Sequence, residues 1–130
     1  MSFIIDVETE GVEGFHTVPA DEYELRILKA EQKTSKKGDP MLEIQLEIPS
    51  DPKSKDLFHY LMLPTNSDDE KRKTQKLVNL KEFKAAFGLP AAGPISESDL
   101  EGARGWAILT EEEDQQYGKS NRIKRFVVGR

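Results

Sequence analysis

Two aromatic side chains in one short apolar stretch are the residues best suited to bind a flat ligand. Asp56–Leu63 alternates as a β-strand does, and its leucines and His59 share one face. If the leucines face a core, Phe58 and Tyr60 point outward together, and exposed rings of this kind stack on unpaired bases at about 1–3 kcal/mol per base. The alternative is that both rings pack beneath the N-terminal segment, which carries its own phenylalanines.

Basic residues in the predicted loops provide a second element of such a site. They fall in the first hairpin connection, in the loop before the aromatic strand, and around the last strand. Lysine and arginine spaced in this way contact a phosphate backbone without reading base sequence. The alternative is an ordinary solvated charged surface. The residues are Lys33, Lys36, Lys37, Lys53, Lys55, Lys119, Arg122, Lys124 and Arg125.

Four consecutive acidic residues, Glu111–Asp114, stand beside the last basic group. Carboxylates close to a phosphate-binding groove are unfavourable, because like charges repel. The run points away from the groove, binds a basic partner, or pairs with the basic run Arg122–Arg125. The sequence leaves these three alternatives open, and the simplest interpretation of the run itself is a solvated loop.

Catalytic and metal chemistry find little support in the sequence. There are no cysteines and only two histidines, His16 and His59, so neither a disulfide framework nor a histidine-rich metal site is expected. His59 has no nucleophile or carboxylate at a recognisable spacing, which favours a histidine packed in its strand. The turn Lys36–Pro40 lacks the glycine spacing and following helix of a phosphate-binding loop. We therefore expect no enzymatic activity, no metal and no cofactor.

One amphipathic helix, within Ser67–Pro90, is the best-specified element that must position these residues. Ser67 and Glu70 are spaced as a capping box, and Gly88 followed by Pro90 is a typical end. A helix with a single apolar face needs a sheet to cover that face. Spacings of three and four put five apolar residues on it: Leu77, Leu80, Phe83, Ala86 and Phe87.

Five strands supply the sheet, three before the helix and two after it. A phase change near Leu28 and another at Lys124-Arg125 predict bulges, which suit strands that curve round a barrel. The order matches the five-stranded Greek-key barrel called the OB-fold, a mainly β fold with one helix between strands 3 and 4. The predicted strands are Tyr23–Lys33, Met41–Ile48, Asp56–Leu63, Arg104–Glu111 and Asn121–Val128.

Size and charge suggest one domain with an acidic N-terminal segment. The 130 residues carry a net charge of −5, but residues 1–24 hold seven acids and no lysine or arginine. We assign residues 1–20 to an acidic leader packed on or flanking the domain, with a short strand at Phe3–Val7 and Phe15 packed on the body, and residues 21–130 to the OB-fold domain. The first ten residues have neither a basic region nor a long apolar run, so we expect neither a signal peptide nor a membrane span, and a cytoplasmic protein.

Several short motifs spread over residues 15–128 together resemble a family of small bacteriophage-type proteins. The most specific is Tyr117–Phe126, and the hairpin Lys37–Leu42 is next. The others are Pro19 with Tyr23–Ile27, Phe58, and Leu80–Phe83 with Gly88. Members of that family are encoded among replication and recombination functions and are regarded as single-stranded DNA-binding proteins. The resemblance implies the same role here, in the host cytoplasm if the protein is viral.

The resulting hypothesis is an OB-fold domain that binds single-stranded DNA with little sequence preference and supports phage-type replication or recombination. The alternative is an OB-like protein-interaction module that regulates a partner enzyme through the same apolar face. Replication or recombination proteins are possible further partners under the first hypothesis. The predicted DNA-binding residues are Phe58, Tyr60, Trp106, Tyr117, Lys36, Lys37, Lys119, Arg122, Lys124 and Arg125.

Overall fold

Five strands form one antiparallel sheet, and a long helix lies between the third strand and the fourth. The computed structural model describes residues 2–116 and 118–130. The strands are β1 (Glu22–Thr34), β2 (Pro40–Glu47), β3 (Leu57–Met62), β4 (Arg104–Asp114) and β5 (Gly118–Val127), and the helices are α1 (Glu70–Ala86) and the short α2 (Glu97–Leu100). Among the elements of the described residues, α2 is the one that the sequence did not predict.

The sheet curves into an OB-like barrel. Its strand order is β3-β2-β1-β4-β5, so β3 and β5 are its two edges. These edges lie side by side, and α1 contacts both of them. The fold class predicted from the sequence, a mainly β barrel with a helix between strands 3 and 4, is therefore confirmed.

The core sits between the inner face of the sheet and α1. Alternate residues of β1 to β4 point inward, and Phe83 and Phe87 meet them from the helix. Phe126 of β5 joins this core through ring contacts, with centroids 5.6 Å from Phe83 and 5.9 Å from Phe87. The strand residues buried here are Leu25, Ile27, Ala30, Ile44, Leu46, Leu57, Leu61, Ala107 and Leu109.

The start of α1 differs from the prediction. Asp69, and not Ser67, is the N-cap, and its carboxylate accepts a hydrogen bond from the Arg72 N–H at 2.7 Å. The Ser67 hydroxyl is hydrogen-bonded to that of Thr65 instead. The first turns extend past the barrel, so the predicted core residue Leu77 is 46% exposed.

Both predicted strand irregularities are present. The pairing of β1 with β2 shifts register between Ile27 and Lys29. Ile108 pairs with Arg125 and Leu109 with Ile123, which leaves Lys124 as the extra residue of β5. The last strand ends at Val127, one residue before its predicted end, and Val128 is 54% exposed.

The N-terminal segment is held only from His16 onward. His16 donates its N–H to the Lys53 carbonyl and accepts from the Lys55 N–H, and Val18 is buried against Asn121. Residues 2–15 contain no helix or strand, so the predicted short strand at Phe3–Val7 is not formed. Its apolar side chains are exposed to solvent.

The close approach of α1 to β4 gives a test of this packing. A Cβ at Gly105 would stand 2.6 Å from the Ala86 carbonyl oxygen and 2.9 Å from the Phe87 ring. Gly105→Ala should therefore lower the free energy of unfolding by about 1–3 kcal/mol, measured by urea denaturation. The matched control is Gly14→Ala, where a Cβ meets nothing within 4 Å and the φ angle is not positive. Equal midpoints for the two variants would contradict this packing.

Candidate nucleic-acid interface

The two rings of β3 point outward. Phe58 is 52% exposed and Tyr60 is 50% exposed, whereas Leu57 and Leu61 on the other face are 1% and 3% exposed. The strand is thus apolar on both faces for two different reasons. One face fills the core, and the other presents flat aromatic surface to solvent.

The rings do not pack beneath the N-terminal segment. Phe3 is 82% exposed and Phe15 is 71% exposed, so neither covers the outer face of β3. The predicted packing of Phe15 on the body is therefore wrong. It fails because backbone anchoring of the segment begins only at His16.

The neighbours of the rings on β2 are polar, and their charge is balanced. Gln45 pairs with Phe58 and Glu43 with Tyr60 across the two strands. Glu43 forms an ion pair with Lys33 at 3.0 Å. Partial burial and contact with Glu43 raise the pKa of Tyr60, while Lys33 acts in the opposite direction. The phenol is therefore neutral at pH 7, and the nearest carboxylate has its own counter-ion.

A groove runs beside these rings, and we call it the β3 groove. It consists of one cavity of about 410 Å³ between β3, β5 and α1, and another of about 490 Å³ between the β1–β2 hairpin and the start of α1. Met62, Arg72 and Lys76 line both cavities, so the two lie next to each other. Tyr60 lines the first cavity, and Phe58 lies two residues before it on the same strand face.

Four of the six predicted basic residues line the β3 groove. Lys36 and Lys37 line its hairpin end, and Lys124 and Arg125 line the end formed by β5. The hairpin and the last strand are far apart in sequence. The barrel brings the hairpin and the last strand to neighbouring cavities, and Tyr60 lines the one at β5.

The remaining two predicted basic residues lie on β5 near β3. The Lys55 ammonium donates to the Lys119 carbonyl at 2.9 Å, which ties the loop before β3 to the start of β5. Arg122 is close enough to Tyr60 to lower the pKa of its phenol slightly. It also forms an ion pair with Glu112 at 2.8 Å.

Of the three alternatives left open for Glu111–Asp114, this ion pair supports pairing with the basic run Arg122–Arg125. Glu112 pairs with Arg122, and Glu111 accepts a hydrogen bond from the Thr17 hydroxyl. The acidic run continues β4 and is not a loop. Because the side chains of Arg122 and Glu112 are 71% and 52% exposed, the pair is weak and a phosphate can compete for the arginine.

Trp106, another predicted aromatic residue, stands apart from the groove. The Arg130 guanidinium lies 3.7 Å from the centroid of the Trp106 ring and also pairs with Glu22 at 2.9 Å. Trp106 is half-buried on β4 and does not line the β3 groove. Tyr117 lies outside the described residues.

Arg72 and Lys76 were not among the predicted residues, although both line the β3 groove. Their spacing to Phe83 is eleven and seven residues, which places all three on one helix face. The Lys76 ammonium is held by Asp68 at 2.9 Å, with only 12% of the lysine side chain exposed. The sequence signal that identifies Arg72 and Lys76 is their helical spacing, which continues the apolar face of α1 toward its N-terminus with basic residues.

His59 is packed as the sequence indicated. Its ring meets the edge of Phe126 at a centroid distance of 5.1 Å. Burial lowers its pKa below the ordinary value of 6.5, so the imidazole is neutral at pH 7 and adds no charge to the groove.

Over residues 2–116 and 118–130 no group of three or more His, Asp or Glu side chains is arranged to hold a metal ion. No helix in this part of the chain is long and apolar enough to cross a membrane.

The fold and the groove together define an OB-like barrel whose sheet carries an exposed aromatic and basic face. The chain belongs to the family of proteins of unknown function called DUF669, whose match covers residues 5–120. That match ends three residues into β5, so Arg122, Lys124 and Arg125 lie beyond it. No curated protein matches the chain.

The pair of Asp68 and Lys76 at the groove allows a pH test. The Lys76 ammonium and the Thr65 N–H lower the pKa of Asp68 below its ordinary value of 3.8. A lowered pKa in the folded state stabilises the fold above the unfolded pKa, and this contribution is lost as the pH falls through the folded pKa. Asp68→Asn should therefore lower the Tm at pH 7, and the difference from wild type should shrink below about pH 4.

Thermal melts across that pH range make the measurement. Glu101→Gln is the control, since it removes one exposed carboxylate outside the β3 groove and should leave the Tm unchanged. A Tm difference for Asp68→Asn that is the same at low pH and at pH 7 would contradict the electrostatic account.

Proposed function

We propose that this protein binds single-stranded DNA with little sequence preference, in phage-type replication or recombination. The observation that carries the proposal is the β3 groove. Tyr60 lines it between basic side chains from the hairpin, the helix and the last strand. Stacking rings combined with a cationic path along the backbone are the usual means of holding unpaired nucleic acid.

The charge of the groove is opposite to that of the chain. Six lysines and arginines line its two cavities, against the three carboxylates Asp39, Asp68 and Glu82. One of the three, Asp68, is engaged by Lys76. The chain as a whole carries −5. A local excess of positive charge on an acidic molecule supports binding at this groove and disfavours indiscriminate adsorption elsewhere.

Single strands fit this arrangement better than duplexes do. Phe58 and Tyr60 offer ring faces, and a base must be unstacked before it can use them. The lysines and arginines contact phosphates, which carry no sequence information. The rings therefore support a preference for unpaired DNA, and the phosphate contacts support little discrimination among sequences.

Removing the rings should weaken DNA binding without unfolding the protein. Phe58→Ala and Tyr60→Ala each remove one stacking surface, so the Kd for an oligo-dT should rise by about 5- to 100-fold. Fluorescence anisotropy of a labelled oligonucleotide makes the measurement. Phe15→Ala removes a ring that is 71% exposed and lies outside the groove, and it should change the Kd less than twofold. Unchanged affinity in both β3 variants would contradict the stacking role.

The basic residues should determine the salt dependence. The logarithm of the affinity should fall with the logarithm of salt concentration, with a slope of about −0.7 for each phosphate contact. Lys124→Ala and Arg125→Ala should each make that slope shallower by about this amount. The control Lys81→Ala removes a charge of the same sign from a helix residue outside the groove.

The alternative of a protein-interaction module predicts a different result. Absence of oligo-dT binding at low salt would rule out the DNA proposal and leave the exposed rings as a protein contact. Binding to duplex DNA as tight as to oligo-dT would also contradict it, since the rings would then have no role.

A further inference from the structure

Another cavity, of about 760 Å³, lies between β1, α1 and the segment that leads to α2. It shares no lining residue with the β3 groove. We call it the edge cavity. One wall of the edge cavity is the side of a β-strand.

That strand is β1, and part of its outer edge has no strand beside it. β2 pairs with Arg26–Thr34, but β4 pairs with β1 only over Glu22–Arg26. Ile27 is bonded to the turn Gly102-Ala103. Past that point the described residues place no strand on this side of Glu31–Thr34. A free edge of this kind accepts an extended segment as an added strand.

The floor beside this edge is apolar. It is formed by side chains of β2, the segment after β3, α1 and the α2 region, and its charged groups are balanced, with two lysines and two glutamates. The apolar residues are Leu42, Leu63, Leu80, Phe83, Ile95 and Leu100. An added strand that places alternate apolar side chains over this floor would bury both surfaces.

The N-terminal segment has the sequence that such a strand needs. In Phe3–Val7, Phe3, Ile5 and Val7 lie on one side of an extended chain, and Ile4 and Asp6 lie on the other. β-branched and aromatic residues of this kind favour strands. Phe3, Ile5 and Val7 are 82%, 73% and 70% exposed, so they have no partner on the chain that carries them.

We propose that Phe3–Val7 of one copy adds as a strand to the β1 edge of a second copy and fills its edge cavity. The segment does not reach its own cavity, because it is anchored at His16, which is bonded to Lys53 and Lys55 before β3, while Leu63 of the cavity lies beyond the other end of that strand. The eight residues from Lys55 to Leu63 span about 26 Å as a strand. The nine residues from Val7 to His16 reach about 32 Å only when straight, and a turn between Thr9 and Val12 shortens them.

Self-association is the first consequence to test. Sedimentation equilibrium of the full chain should give a mass that rises with concentration above the monomer value of 14.7 kDa. Ile5→Asp places a charge over the apolar floor and should weaken association by about tenfold or more. The control Ile4→Asp changes the opposite side of the same segment and should weaken it less than threefold. A constant monomer mass for the wild type, or equal effects of the two variants, would overturn the proposal.

Because the chain has no cysteine, cross-linking can identify the contact directly. Ile5→Cys mixed with Gln32→Cys should give a disulfide-linked dimer under mild oxidation, since Gln32 lines the edge cavity. Val12→Cys mixed with Gln32→Cys is the control and should give little. A chain carrying both Ile5→Cys and Gln32→Cys that closes only on itself would show that the segment fills its own cavity, which also overturns the proposal. Neither experiment involves DNA, so its outcome is independent of the proposed function.

Discussion

The aromatic cluster of Phe83, Phe87 and Phe126 is the contact on which the rest of the structure depends. Phe126 is the inward residue of β5 that meets the helix, with ring centroids 5.6 Å and 5.9 Å from the other two. Because α1 also contacts β3, the cluster brings β5 beside β3. Without it the two edges of the sheet would lose the helix that packs across them. The aromatic strand and the basic last strand would then form no common groove.

The same closure explains how an acidic chain presents a basic surface. Seven acids are concentrated in residues 1–24, and the segment 2–15 is not packed on the barrel. Three acids near the groove form ion pairs: Asp68 with Lys76, Glu43 with Lys33, and Glu112 with Arg122. The β3 groove is lined by lysines and arginines from three elements, which are the β1–β2 hairpin, α1 and β5. The distribution of charge therefore matters more than its sum.

The sequence predicts the barrel well, because its strands alternate clearly and its helix has a single apolar face. The outward direction of Phe58 and Tyr60 follows from the buried leucines beside them. Other features depend on contacts between distant residues. The choice of Asp69 over Ser67 as N-cap and the Trp106 ring beneath Arg130 cannot be read from local patterns alone. The predicted strand at Phe3–Val7 is not formed for a related reason, since a strand needs a partner and residues 2–15 pair with no strand in the described part of the chain.

The most direct test of the account is an NMR titration of isotope-labelled protein with a short oligo-dT. The account predicts shift changes concentrated in the rings of Phe58 and Tyr60 and in the amides of Lys36-Lys37 and Lys124-Arg125, with little change at the edge cavity. Shift changes centred outside the β3 groove, or none at saturating oligonucleotide, would contradict it.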